Sequence, residues 1–220
     1  SIDNWFVFEL SADTVFNYTC EPVFTGCGDL VSHEGYDYST VLIGEQCWFS
    51  ENCRYLPSVS HPQDWSNTDP HYYVYDYQGT DVEAAKSTEN YETYGVLYNW
   101  PAVMTEGICP SGWHIPSDGE FTQLTDFLGG ESVAGEAMKS TSGWNDNGNG
   151  SNSSGFTGLP SGNRHGNETF LNEGDYGFWL SVSESSEGGV WGYCLAHSSD
   201  HPIRSSYSRT YGFSARCVRD

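Results

Sequence analysis

The amino-acid sequence predicts an α+β fold, with two helices packed on antiparallel sheets, long loops and disulfide staples. Three observations carry this. Strand-like runs come first, two helical patterns sit mid-chain, and aromatic strand candidates return after a long turn-rich loop. Seven cysteines, at 20, 27, 47, 53, 109, 194 and 217, form no CxxC pair, which favours disulfides over zinc. With 220 residues the chain can bury a sizeable core.

Residues 1–30 read as a lead-in hairpin or as the end of an upstream module. NWFVFEL and TVFNYTCEPVF are apolar runs of strand length, and Cys20 and Cys27 staple this segment or tie it to the body. Residues 31–220 form the main domain. In it, YDYSTVLIGEQCWF (36–49) reads as strand, Gly-Glu turn and strand, with Trp48 and Phe49 in the core. Residues 57–92 are a polar and aromatic insertion in which DVEAAKST supports one or two helical turns. YGVLYNWPAV (94–103) reads as a strand that Pro101 limits.

The run ICPSGWHIPSDGEF (108–121) leads into the first helix. Ser117 and Glu120 spell a capping box, Phe121, Leu124 and Leu128 recur at helical spacing, and Gly129-Gly130 stops the helix. SVAGEAMKS (132–140) suggests a shorter second helix with Val133 and Ala137 on one face. GWNDNGNGSNSSGFTGLPSG is turn chemistry, hence loop. YGFWLSVS (176–183), GVWGYCLA (189–196) and YGFSARCV (211–218) are strand candidates.

Thirty Asp and Glu face eight Lys and Arg, a formal net charge of −22. A nucleic-acid partner would meet phosphate repulsion and is counted out, and an anionic membrane surface is disfavoured on the same ground. No apolar run approaches the ~20 residues of a membrane helix. The chain begins SIDNWF without Met or a charged-then-apolar leader, which reads as a mature chain or an excised piece with any export signal removed. Four glycosylation sequons (Asn17, Asn149, Asn152, Asn167) are close to chance in so polar a chain. No GxSxG elbow, HExxH helix, Walker loop or strand-linked GxGxxG occurs.

IGEQCWFSEN, YGVLYNWPAV, CPSGWHIPSDGEF, LTDFLGG, SGFTGLPSGNR, YGFWLSVSE and YGFSARCVRD follow one another in this order. Together they resemble the Fibrobacter succinogenes major paralogous domain, a bacterial extracytoplasmic family, over about residues 36–220. The resemblance implies a C-type-lectin-like fold and an exported protein at the cell surface or outside it. It also implies a Cys109–Cys217 disulfide, with the last strand beside the early ones, Trp113 as a core plug and Pro116 setting the approach to the helix. Cys47 is left with Cys27 or Cys53, Cys27 being favoured. His114, next to Trp113 on a strand, faces the opposite way and reads as a structural or surface residue.

Enzymes of this fold, the sulfatase-modifying type, need reactive or copper-binding cysteines in the C-terminal half. Only Cys194 and Cys217 lie there, so the chain is expected to be no enzyme. Trp144-Asn145-Asp146 matches the WND triplet of calcium-dependent lectins but lies far from Cys217 and lacks the partner EPN or QPD loop. The adjoining loop could still hold a structural Ca²⁺ through Asp146, Asn147 and Asn149, against the alternative of a hydrated turn; no other cofactor is expected.

The stretch GVWGYCLAHSSDHPIRSSYSRTYG (189–212) departs from the family pattern, whereas its flanks keep it. Many of its residues are those that adenine-directed change of AAC and AAT codons yields, as are Asn163, His165 and Asn167. Retroelements that diversify binding proteins act in this way, usually on lectin-like folds. Trp191, Tyr193, Tyr207 and Tyr211 offer rigid area, and His197, Asp200, His201, Arg204 and Arg209 add polar contacts. The expectation is a ligand-binding module, with Asn163 and His165 contributing, for a protein or glycan on a cell or particle surface. The alternatives are a structural subunit or tip of a surface appendage and, third, a sulfatase-modifying-type enzyme.

Overall fold

The structure, a computed structural model, describes residues 24–166 and 168–220. The expected N-terminal runs, Cys20, Asn17 and Asn167 lie outside the described residues. What is described is α+β, with eleven strands in three sheets and five short helices.

The first sheet is built early in the chain. β1 (Leu30–His33), β2 (Tyr36–Ile43) and β3 (Gln46–Phe49) form an antiparallel meander, and β11 (Val218–Arg219) adds to β3. Gly44, at φ 65°, makes the turn of the β2–β3 hairpin. Trp48 and Phe49 are buried as expected. Residues 24–29 are fastened to this sheet by the Cys27–Cys47 disulfide, and the Phe24 ring meets Trp113 edge-on at 5.5 Å.

The insertion is part of the core, not a polar appendage. β4 (Tyr72–Tyr73) pairs with β5 (Leu97–Tyr98), burying Tyr72, Tyr73 and Val74. α1 (Val82–Lys86) and α2 (Glu89–Tyr94) follow, capped by Asp81 and Thr88. The expected strand 94–103 is corrected: it keeps only β5 and then turns into α3 (Trp100–Val103). Asn99 caps that helix, and Pro101 sits in its first turn, where a missing N–H costs nothing.

α4 (Asp118–Phe127) carries the complete capping box, with Phe121 and Leu124 buried. Gly129 and Gly130, both at positive φ, end it as the sequence predicts. In α5 (Ala134–Met138) the buried face is Ala134 and Met138, while Val133 is 51% exposed. The expected Val133–Ala137 face is therefore wrong by one residue, because Val133 lies outside the helix with φ/ψ of its own. Both expected helices are present, α1 supplies the helical turn expected in DVEAAKST, and α2 and α3 are additional.

The second sheet has the order β10-β9-β8-β6-β7. β6 (Ser161–Arg164), β7 (Phe170–Glu173), β8 (Tyr176–Glu184), β9 (Val190–Ala196) and β10 (Ser199–Tyr207) are antiparallel except for one parallel bridge, Gly162 to Gly177. The expected strand 211–218 is instead a buried crossing segment. It bridges β6 at Gly212, β5 at Phe213 and β8 at Ser214 before ending in β11, and so joins all three sheets.

Cys109 is bonded to Cys217, at the end of that crossing segment. This bridge closes a sequence separation of 108 residues and the Cys27–Cys47 bridge one of 20. Loop entropy ranks them at about 4–5 and about 3 kcal/mol. In urea unfolding, Cys109→Ala/Cys217→Ala is expected to lose more stability than Cys27→Ala/Cys47→Ala; the reverse order contradicts this ranking.

Candidate functional site

The residues expected to bind lie mainly on the β9–β10 hairpin, and strand alternation divides them between two faces. Arg204 pairs with Tyr193, Ser206 with Trp191 and Tyr207 with Val190. Tyr193 and Leu195 turn toward α4 and the core around Trp48, Trp144 and Trp179. Tyr193 is 4% exposed, stacked on Phe121 at 4.5 Å. Burial pushes its hydroxyl up to about 12, and the hydroxyl donates to the Asp118 carbonyl at 3.1 Å. The expectation of Tyr193 as an open contact is thus replaced by a packing role.

Trp191 and Arg204 are the accessible part of that face. The guanidinium stands 3.4 Å from the Trp191 ring centroid and reaches Asp118 through two bonds, Nε to Oδ1 at 2.6 Å and Nη2 to Oδ2 at 2.7 Å. Asp118 opens α4, so its carboxylate also lies where the helix end favours negative charge. Donating to the Asp118 carboxylate raises the Arg204 pKa further, and the cation is fixed flat over an aromatic ring.

On the opposite face Tyr207 packs edge-on against Phe213 and Phe178, at 4.9 and 6.1 Å. A Cβ on Gly192, diagonal to Tyr207 across the strand pair, would come within 2.8 Å of the Tyr207 ring, so glycine makes room for it. Tyr207 and Arg209 line a cleft of about 560 Å³ with Ser206, Ser208, Glu187 and, from the insertion, Asn67 and Thr68. Arg209 is 2.9 Å from the Glu184 carboxylate and stacks over Trp100 at 4.3 Å.

A second cleft, about 320 Å³, opens at the hairpin tip. It unites His197 and Asp200 with Asp146, Asn147 and Asn149, two groups that the sequence keeps fifty residues apart. His197 Nδ1 is 3.7 Å from Asp146 Oδ2, and Nε2 is 4.0 Å from Asp175 Oδ1. Lys139, 2% exposed, enters from α5's end, 3.0 Å from Asp200 Oδ1, and donates to the carbonyls of Ala196 and Ser199. That ammonium counts against Ca²⁺, which takes six to eight oxygen ligands. Asn149 Oδ1 is also engaged, accepting from the Trp144 N–H at 3.1 Å.

Other expected residues lie apart. His201 is exposed on β10 next to Pro202, beside an irregularity in the pairing. Asn163 is 2% exposed on β6, separated from β9 by β8, and accepts from Asn172. His165 pairs with the Tyr211 ring, centroids 4.8 Å apart. The sequence reading missed Asp118, Glu184, Trp100 and Lys139. Asp118 stands inside the capping box, and its partner Arg204 is 86 residues away.

Among known proteins, the model of the Fibrobacter succinogenes major domain matches residues 41–219. No curated protein and no solved structure matches the chain significantly. The match spans well over half the chain and includes β3, α4 and the whole β8–β10 sheet edge, and the protein belongs to the Fibrobacter succinogenes major domain family.

Proposed function

We propose that this chain is an exported, non-enzymatic binding module of C-type-lectin-like fold that presents the β9–β10 surface to a protein or glycan on a cell or particle. The observation that carries the reading is the Trp191–Arg204 platform, locked by Asp118, on a hairpin that also borders two polar clefts. A fixed aromatic plane gives contact area at small entropy cost, and the clefts add adaptable donors and acceptors.

Two disulfides accord with an oxidising, exported setting. Among the described residues no helix is long and apolar enough to cross a membrane. Diversification by a retroelement would fit the exposed positions Asp200, His201, Ile203 and Arg204, which change without repacking the core. A near-identical template repeat beside the gene would support it. Catalysis of the sulfatase-modifying type is disfavoured by the thiols: Cys217 is bonded, and Cys53 and Cys194 are buried, with burial pushing each thiol up to about 12.

Two tests follow from this. In a glycan and surface-protein binding screen, Trp191→Ala/Arg204→Ala is expected to lose binding while keeping the parent's thermal unfolding midpoint; undiminished binding would move the site off this face. Native protein at pH 8 is expected to leave Cys53 and Cys194 unalkylated by iodoacetamide, with both labelled in urea. Rapid native labelling of either would restore thiol chemistry as a reading.

A further inference from the structure

His114, at the centre of the CPSGWHIPSDGEF run, plays no part in the binding face. Its ring nevertheless touches one carboxylate and stands near a second from a different part of the chain. One ligand atom each from His114, Glu120 and Asp220 lie within 4.8 Å of one another, and His114 Nε2 is 2.5 Å from Glu120 Oε1. We propose that these three residues form a site for one divalent transition-metal ion of the zinc class.

Each ligand is positioned by a separate constraint. The His114 backbone is locked to Val218 by two hydrogen bonds, His114 N to Val218 O at 3.0 Å and Val218 N to His114 O at 2.8 Å. This sets the register of Asp220, two residues further on, and the Cys109–Cys217 disulfide ties the same two segments. Glu120 uses Oε2 to accept from the Ser117 N–H at 2.7 Å, which leaves Oε1 aimed at the ring. With metal–ligand distances of about 2.0–2.2 Å, two atoms on one tetrahedral ion lie about 3.3–3.6 Å apart. Forming the site therefore takes small side-chain shifts that open the His114–Glu120 pair, which stands at 2.5 Å, and settle the cluster around the ion; two of the three side chains are exposed.

The donor set chooses the ion. One imidazole with two carboxylates suits Zn²⁺ and its neighbours, whereas Ca²⁺ and Mg²⁺ prefer all-oxygen shells. Three protein ligands leave a position for water. Such an ion would strap the end of β11 to the first turn of α4, the turn that also carries Asp118. The site stands independently of the ligand proposed for the β9–β10 face.

Calorimetric titration with ZnCl₂, in salt and excess Ca²⁺ to saturate loose carboxylate binding, tests the proposal. The parent is expected to bind one Zn²⁺ per chain. His114→Ala, Glu120→Gln and Asp220→Asn should each weaken it by at least the roughly 10–100-fold that losing an outer-shell partner costs. Glutamine keeps the capping interaction at position 120, and the thermal midpoint of each variant reports that the fold is intact. A second readout is the His114 ring nitrogen in NMR, which should shift on Zn²⁺ addition in the parent and not in Asp220→Asn. No one-to-one binding, or binding unchanged in all three variants, overturns the site.

Discussion

The buried guanidinium of Arg216 is the interaction on which the architecture turns. It donates to the carbonyls of Phe49, Phe156 and Thr157 and to Asn52 Oδ1, and lies 3.9 Å from the Phe156 ring centroid. Asn52 Oδ1 also accepts from Trp179 Nε1, so the first sheet, the 156–157 loop and the second sheet meet at one cation. Burial lowers its pKa to about 9, which still leaves it charged at neutral pH. Among the described residues no ion pair joins it to a carboxylate, so carbonyl dipoles stabilise the charge.

The same device recurs at two other loops. Arg164 is fully buried and donates to the carbonyls of Pro62, Asp64 and Thr210, anchoring the 57–92 segment to β6. Lys139 does this for the tip of the β9–β10 hairpin. A fold of short strands leaves many buried carbonyls outside ladders, and a guanidinium supplies five donors at once. This explains where a strongly acidic chain spends its few cations: three of eight are interior. It also sets Arg204 and Arg209 apart, since those two stack on indoles at the surface.

How much of this can be read from sequence follows from how local each signal is. The β2–β3 hairpin and the capped α4 were legible because their turn and cap residues act within a few positions. The disulfide partner of Cys109 came only through the family resemblance. β10 was obscured because SDHPIRSSY has no clean alternation and contains a proline, tolerated here on the sheet edge. Residues 211–218 look like a strand because both sides are buried, yet no single neighbour pairs along their length. Which aromatics of the β9–β10 hairpin stay open was not legible: α4 covers Tyr193 and leaves Trp191, a fact of packing between distant segments.

Urea unfolding of Arg216→Met tests most directly whether a buried cation holds this scaffold together. Methionine fills similar space but strands several acceptors that each cost about 1–3 kcal/mol when unpaired. A loss of at least about 3 kcal/mol is expected on that basis. Stability within about 1 kcal/mol of the parent would contradict the account, because the loops would then be held by packing alone.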